Sequence, residues 1–380
     1  MDFKLTKTQM LQQELFRKFA ETEIKPIAKD MDEAEDYDRE LLQKLQKIGA
    51  FGIPYSREYG GQGADVLTYT LCMEEMSKVD ASTGITLSVH TSLCCPCINE
   101  FGTEEQKQKY LVPLAKGEKI GAFGLTEPSA GTDSSMQQTT AVLDGDEYVL
   151  NGTKVFITNA GYADIYVVIA MTDKSKGNKG ISAFIVEKGT PGFSVGKKER
   201  KMGIRGSATC DLIFENCRIP KENILGKEGQ GFKIAMQTLD GGRIGIASQA
   251  LGLGEGAVEE AIKYTKERVQ FGKRISQFQN TQFQLAEMHT RMQAAQFLVY
   301  SAAMKKQNHE PYSMDAAMAK LFAAEAASDV TRRAVQLFGG YGYTREYPVE
   351  RMMRDAKITE IYEGTSEVQR MVVAKYLGVN

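Results

Sequence analysis

The stretch Asp144-Gly145-Asp146-Glu147-Tyr148-Val149-Leu150-Asn151-Gly152 decides the fold, because it marks a change from helical to strand periodicity. Asp-Gly and Asn-Gly are typical of hairpin turns, and the residues between them favour a strand. Further strands are predicted at residues 165–170, 182–186 and 210–215. Residues 120–219 therefore predict a β domain of about a hundred residues.

Helical patterns lie on both sides of this β region. Before it, apolar residues recur at three- and four-residue spacing, as at Leu11, Leu15 and Phe19. After Gly231, long helical stretches are predicted at 258–268, 282–306 and 314–338, which suit a bundle of antiparallel helices. The order α, β, α favours three segregated domains of an α+β protein over an alternating fold. We predict a helical domain at 1–119, a β domain at 120–228 and a helical bundle at 229–380.

Composition excludes several classes of protein. A chain of 380 residues is longer than the usual chain built around a single hydrophobic core, so more than one domain is expected. A net charge of −2 lacks the basic excess that nucleic-acid binding needs. The longest apolar runs are far shorter than the roughly 20 residues of a membrane helix. The N-terminal residues lack the apolar core of a signal peptide. No nucleic acid, no membrane insertion and a cytoplasmic location are expected.

Six cysteines in a chain of this length do not predict a disulfide framework. Cys94, Cys95 and Cys97 lie close to His90, which raises the alternative of a metal site. Zinc sites usually need two well-spaced pairs of ligands, so buried thiols are favoured and no metal is expected. None of the three histidines lies in a nucleophile motif, which disfavours histidine-based hydrolysis.

The stretch Gly252-Leu253-Gly254-Glu255-Gly256-Ala257 formally matches a dinucleotide-binding fingerprint. That fingerprint requires a strand before it, whereas residues 243–250 and 258–268 both have helical patterns. Glycines that let two helices approach closely are the favoured interpretation.

A carboxylate lies between an aromatic residue and glycine in Ile361-Tyr362-Glu363-Gly364-Thr365-Ser366. Burial disfavours the charged form of a glutamate and raises its pKa toward the range useful in proton abstraction. The alternative is a helix end capped by Gly364 and preceded by a surface glutamate.

Two further segments combine hydroxyls, glycine and aromatic side chains. They are Phe123-Gly124-Leu125-Thr126-Glu127-Pro128-Ser129-Ala130-Gly131-Thr132-Asp133 and Phe156-Ile157-Thr158-Asn159. Main-chain N–H groups in such a loop can bind a phosphate or a heterocycle, and an aromatic ring can stack on a flavin. Loops of this composition are also common without any function.

Five motifs together make the chain similar to the acyl-CoA dehydrogenase family over its whole length. They are Leu125-Thr126-Glu127-Pro128 with Gly131-Thr132-Asp133, Phe156-Ile157-Thr158-Asn159, Arg268-Val269-Gln270-Phe271-Gly272-Lys273, Gln336-Leu337-Phe338-Gly339-Gly340-Tyr341-Gly342 and Ile361-Tyr362-Glu363-Gly364-Thr365. The resemblance implies a helical N-terminal domain, a central β-barrel-like domain, a C-terminal four-helix bundle, bound FAD and a homotetramer.

The resemblance also implies roles for individual residues. The flavin ring would be held by Phe123, Leu125, Thr126, Gly131, Thr132, Phe156, Ile157 and Thr158. The rest of the dinucleotide would meet Arg268, Gln279, Gln336, Leu337, Gly339 and Gly340, partly across a subunit interface, and FAD would also contact Thr365, Ser366 and Glu367. The acyl-CoA would be bound by Thr132, Asp240, Gly241, Gly242, Arg243 and Gly364. For Arg243 the alternative is an ion pair on a helix surface.

In that family, Glu363 would take the α-proton of an acyl-CoA thioester while the flavin takes the β-hydride. Some members carry the base just before the substrate-segment arginine, where this chain has Gly242, and residues 238–247 look most like butyryl-type members. Medium- or branched-chain substrates, an oxidase and a DNA-binding relative are the alternatives.

An electron-transferring flavoprotein is the expected electron partner, and butyryl-type members also run in reverse. A processed eukaryotic chain would instead belong in the mitochondrial matrix.

Overall fold

The computed structural model describes residues 4–379. Residues 1–3, on which the expectation of no signal peptide partly rests, and residue 380 lie outside the described part. Short helices build the N-terminal region: α1 (Lys7–Phe19), α2 (Ala28–Ala34), α3 (Arg39–Lys47), α4 (Val66–Val79), α5 (Ala81–Ser88), α6 (Cys95–Phe101), α7 (Glu104–Gln106) and α8 (Val112–Ala115). Side-chain caps begin several of them. Thr6 and Gln9 form a capping box on α1, and Asp65 accepts from Thr68 N on α4.

An eight-stranded, mostly antiparallel sheet follows. Its strands are β1 (Gly121–Gly124), β2 (Thr140–Asp144), β3 (Glu147–Thr158), β4 (Ile165–Met171), β5 (Ile181–Glu187), β6 (Phe193–Lys198), β7 (Thr209–Pro220) and β8 (Ile224–Leu225). The strand order is β6-β7-β3-β2-β4-β5-β8, and β1 pairs in parallel with β4. The three strands predicted at 165–170, 182–186 and 210–215 are confirmed as β4, β5 and part of β7.

One of the two predicted hairpin turns is wrong. Gly145 and Asp146 connect β2 to β3 as predicted, with Asp144 paired to Glu147. Asn151 and Gly152, in contrast, lie inside β3 at an irregularity in its pairing with β7. Gly152 has φ +144°, and a Cβ there would come within 2.6 Å of the Thr139 Cα. The glycine therefore allows a β-bulge in β3 and the close approach of the Thr139 backbone.

The C-terminal region returns to helices. They are α9 (Gly231–Glu267), α10 (Gln279–Gln307), α11 (Ser313–Phe338), α12 (Val349–Thr359) and α13 (Ser366–Tyr376), with a small hairpin of β9 (Val269–Gln270) and β10 (Lys273–Arg274) after α9. Helix α9 packs against α11, α10 and α4. The helical N-terminal region, central sheet and helical bundle confirm the predicted fold class. The domain boundaries at 119/120 and 228/229 stay a prediction.

The glycine-rich stretch lies within α9, as the helical interpretation predicted. A Cβ at Gly252 would be 2.1 Å from the Glu74 carbonyl oxygen, and one at Gly256 would be 2.2 Å from that of Lys78. These glycines therefore allow α9 and α4 to pack backbone against backbone.

All six cysteines are buried free thiols, as predicted. Cys95 Sγ lies 3.5 Å from His90 Nε2, and His90 Nδ1 accepts a hydrogen bond from Gly121 N at 3.0 Å. Burial lowers the pKa of His90 to about 4, so its ring is neutral and links the cysteine segment to β1. Within residues 4–379, no cluster of His, Cys, Asp or Glu is arranged to hold a metal. None of the helices described has the length and apolar character that a membrane crossing requires.

Candidate active site

A cavity of about 210 Å³ lies where the sheet, the helix α9 and the loop between α12 and α13 meet. Apolar side chains from α5, the π-helical turn after it, and α9 form one wall: Ile85, Val89, Leu93, Met236 and Leu239. The loop after β1 and the end of β3 contribute the wall that holds Phe123, Leu125, Thr126, Gly131, Thr132, Phe156, Ile157 and Thr158. Arg243, Glu363 and Gly364 complete the lining. The structure thus brings together all eight residues predicted to hold the flavin ring.

Glu363 occupies an unusual backbone conformation, with φ +52° in a residue that is not glycine. Gly364 follows with φ +96°. Hydrogen bonds from buried side chains hold this segment. Gln369 Nε2 donates to Gly364 O at 2.8 Å and to Glu363 O at 3.2 Å, and the Tyr362 hydroxyl donates to Gln249. Such strain persists only where surrounding contacts over-determine it, and it is typical of functional sites.

The carboxyl group of Glu363 is desolvated. Glu363 as a whole is half-buried, but both carboxylate oxygens are buried and make no hydrogen bond within the described residues. Burial raises the pKa of Glu363 to about 8, against the opposing charges of Lys320 and Arg243. The alternative of a surface glutamate beside a helix cap is therefore wrong.

The predicted substrate segment lies on α9 against this carboxyl group. A Cβ at Gly242 would be 2.2 Å from Glu363 Oε2, so a glycine is needed for the observed position of the carboxylate. Arg243 is buried and forms an ion pair with Asp240, which also accepts from Ser313 Oγ at 2.6 Å. The alternative of Arg243 in a helix-surface ion pair is wrong, because Arg243 is buried and its side chain lines the cavity. Asp240, Gly241 and Gly242 lie behind the cavity lining.

A buried ion pair organises the loop between β1 and β2. Lys154 Nζ lies 2.6 Å from Glu127 Oε1 and 3.2 Å from Leu125 O, and Glu127 also accepts from Gln138 N and Thr139 N. Burial lowers the pKa of Lys154 to about 8, and the carboxylate of Glu127 opposes this shift. Sequence reasoning missed Lys154. A lysine in the predicted β domain, between a glutamate-containing cofactor motif and Phe156, was the available signal.

Phe156 is presented to the cavity by a backbone irregularity. It has φ +60° and lies between Lys154 and Ile157, where the pairing of β3 with β7 shifts register. Its side chain is 64% exposed, which is unusual for a phenylalanine on a central strand. The bulge turns the ring out of the sheet core and into the cavity.

A second cleft contains most of the residues predicted for the rest of the dinucleotide. Arg268, Gln336, Leu337, Gly339 and Gly340 line it, and Arg268 lies over the Tyr341 ring at 5.5 Å from its centroid. A Cβ at Gly339 or Gly340 would meet no atom within 4 Å. Of the residues predicted to bind FAD, four are absent from the linings of both cavities within the described chain: Gln279 begins α10, Thr365 caps α13, and Ser366 and Glu367 begin α13.

Comparisons with known proteins agree with this geometry. The chain matches the acyl-CoA dehydrogenase N-terminal domain over residues 6–118, the middle domain over 122–217 and the C-terminal domain over 229–378. The chain belongs to the acyl-CoA dehydrogenase family. A short-chain specific acyl-CoA dehydrogenase from Clostridium acetobutylicum is 63% identical to it over 98% of this chain and 99% of that protein.

Two solved structures are also similar to this acyl-CoA dehydrogenase. Butyryl-CoA dehydrogenase from Megasphaera elsdenii is 56% identical with a TM-score of 0.98, covering 99% of this chain and 100% of the other. A chain from work on the electron transferring flavoprotein of Acidaminococcus fermentans and flavin-based electron bifurcation is 60% identical with a TM-score of 0.98. That match covers 99% of both chains.

The residues fit the flavin dinucleotide that this family uses. An exposed aromatic ring at Phe156, open space beside Gly131, and the open glycine pair at Gly339 and Gly340 can accept a flat heterocycle and a dinucleotide chain. Ser366 adds a buried hydroxyl without a hydrogen-bond partner within residues 4–379. Buried polar groups are normally satisfied, so an orphaned hydroxyl at a helix start is consistent with a ligand contact.

Proposed function

We propose that this FAD-dependent acyl-CoA dehydrogenase acts on short acyl chains, converting butyryl-CoA to crotonyl-CoA or the reverse, with Glu363 as the base. One observation carries the assignment of the base: a buried carboxylate with no hydrogen-bond partner in the described chain lines the cavity formed by the flavin-loop residues. Leaving a carboxyl group buried and unpaired is costly, and sites that abstract protons bear that cost for function.

The chemistry requires a base that is weakly solvated and correctly placed. A thioester α-proton is weakly acidic, and Glu363, whose pKa burial raises to about 8, is a better proton acceptor than an exposed glutamate. When bound, FAD accepts the hydride from the β-carbon. The apolar wall formed by Val89, Leu93 and Leu239 excludes water from the carboxyl group. Position 242, directly before Arg243, carries a glycine and so offers no second carboxylate there to compete for the role.

Short substrates are favoured by the similarity to short-chain and butyryl-CoA dehydrogenases. An electron-transferring flavoprotein is the proposed electron partner, because the chain is 60% identical to one in a structure concerned with that protein. We further propose a homotetramer, with the second cleft completing a dinucleotide site across subunits, and a cytoplasmic location.

Anaerobic titration with acyl-CoAs of graded length tests the proposal. Butyryl-CoA should bleach the flavin absorption of the wild-type holoenzyme faster than longer chains. Glu363→Gln should keep FAD and bind butyryl-CoA but bleach slower by about 10³-fold or more, because the proton acceptor is lost. Glu310→Gln is the matched control, since it removes the same charge from an exposed turn. A near-normal rate of flavin bleaching in Glu363→Gln would contradict the assignment of Glu363 as the base.

A further inference from the structure

A buried lysine lies behind the proposed base. Lys320, in the middle of α11, is 0% exposed, and its ammonium group donates to Gly364 O at 2.7 Å. The same carbonyl accepts from Gln369 Nε2 at 2.8 Å. Two donors thus converge on one carbonyl of the strained segment that follows Glu363.

Lys320 forms no salt bridge with a carboxylate in the described part of the chain. Within residues 4–379, no carboxylate lies within 4.0 Å of its ammonium group, and Gly364 O is its hydrogen-bond acceptor. Burial lowers the pKa of Lys320 to about 8, while the nearby charge of Glu363 opposes that shift. Burying an uncompensated ammonium group destabilises a fold, and an apolar side chain of the same length would pack there at less cost. Packing alone does not account for a lysine at this position.

Other charged and titratable groups face the same segment. Arg243 of α9 also acts on Glu363, but Asp240 already compensates its charge. The remaining groups that act on Glu363 or Lys320 are Tyr69 of α4, Tyr362 beside the base, Glu360 at the end of α12 and Glu367 of α13. Lys320 is therefore the cation near the base whose charge no carboxylate contact neutralises.

We propose that Lys320 is the positioning residue for Glu363: its ammonium group holds the Gly364 carbonyl and keeps the buried carboxyl group available in its charged form. The inference rests on the proposed function, because it assumes that Glu363 is the base. Lys320 fixes the strained turn through one hydrogen bond and supplies the counter-charge without contacting the carboxylate, so Glu363 remains free to accept a proton.

The test is the pH dependence of flavin bleaching by butyryl-CoA in holoenzyme carrying Lys320→Met or Lys320→Arg. Loss of the positive charge should move the midpoint of the acidic limb upward by about one pH unit, because a neighbouring opposite charge changes a pKa by about that much or more. The rate of Lys320→Met should recover at high pH, and Lys320→Arg should keep the wild-type midpoint. Lys305→Met, which removes a bundle lysine paired with Asp315, should leave the midpoint unchanged.

Two further measurements distinguish an effect on Glu363 from a folding defect of the Lys320→Met variant. Lys320→Gln keeps a hydrogen-bond donor but no charge, so its midpoint should also move upward even where Lys320→Met fails to fold. Infrared difference spectra against Glu363→Gln follow the protonated carboxyl band of Glu363 directly, without turnover. An unchanged midpoint in the neutral variants, with reduced rate or FAD content alone, would overturn the role of Lys320. Wild-type holoenzyme that butyryl-CoA does not bleach would overturn the proposed function as well.

Discussion

At the scale of the residue, the site depends on Glu363 and Gly242 occupying adjacent space. Glu363 adopts a left-handed backbone conformation, and its carboxylate fills the volume that a Cβ on Gly242 would need. The carboxylate is the flexible end of a side chain, so a larger residue at 242 would displace it without preventing folding. The position of the proposed base is therefore set partly by the absence of a Cβ at residue 242.

Gly242→Ala tests this contact. The variant should fold and retain FAD, but its flavin should be bleached by butyryl-CoA about 10²-fold more slowly, because a displacement of the base by about 1 Å can cost that much. Single-turnover absorbance measures the rate. Gly254→Ala, in the same helix, is the control, since its Cβ would clash with the flexible end of Met292 and make an ordinary 3.5 Å contact with Ala327 Cα. Equal rates in the two variants would contradict the proposed contact.

At the scale of the element, α9 joins the structural and the functional parts of the molecule. Its 37 residues pack on α4 through Gly252 and Gly256 and reach the cavity through Met236, Leu239 and Arg243. The backbone contact with α4 determines the position of α9 along its axis and its rotation about that axis. Displacement of α9 at the α4 crossing would therefore also displace the segment beside Glu363.

Gly252→Ala should destabilise the protein by about 1–3 kcal/mol, because its Cβ would lie 2.1 Å from a backbone carbonyl that has little freedom to move. Thermal or denaturant unfolding measures the loss. Gly254→Ala again serves as the comparison, with an expected smaller effect because Met292 can change its conformation. A Gly252→Ala variant as stable as wild type would mean that the two helices can separate at low cost.

At the scale of the whole molecule, most of the predicted cofactor residues fall into two cavities with no shared lining residue. One cavity holds Glu363 and the flavin-loop residues, and the other holds Arg268 and the Gln336 to Gly340 segment. If the second cleft binds the dinucleotide of a neighbouring subunit, cofactor retention and subunit assembly should depend on each other.

Arg268→Ala should weaken FAD binding by about 10- to 150-fold, because a hydrogen bond to a charged group is worth about 1.5–3 kcal/mol. The pH midpoint of bleaching should stay at the wild-type value in molecules that retain FAD, since Arg268 is not among the groups that act on Glu363. FAD content and light scattering on the same sample should show cofactor and assembly lost together on dilution. Full FAD retention by the variant would show that the second cleft does not bind the cofactor.

Local patterns were sufficient to predict much of this protein. Strand patterns predicted β4 and β5, helical spacing predicted α10 and α11, and the Asp144-Gly145 turn predicted the hairpin of β2 and β3. Five motifs predicted the family and the residues that line the first cavity. These features depend on neighbouring residues or on short segments, so they can be identified without knowledge of the tertiary structure.

Tertiary structure decided the features that depend on residues far apart in the chain. Asn151-Gly152 resembles a turn locally, but the close approach of Thr139 makes it a bulge. The Lys154 to Glu127 pair, the Lys320 contact with Gly364 and the fit of Glu363 against Gly242 join separate elements. The sequence by itself determined which elements form and which carboxylate lies beside Gly364. Only packing determined that this carboxylate is desolvated, because burial is a property of all the surrounding chain.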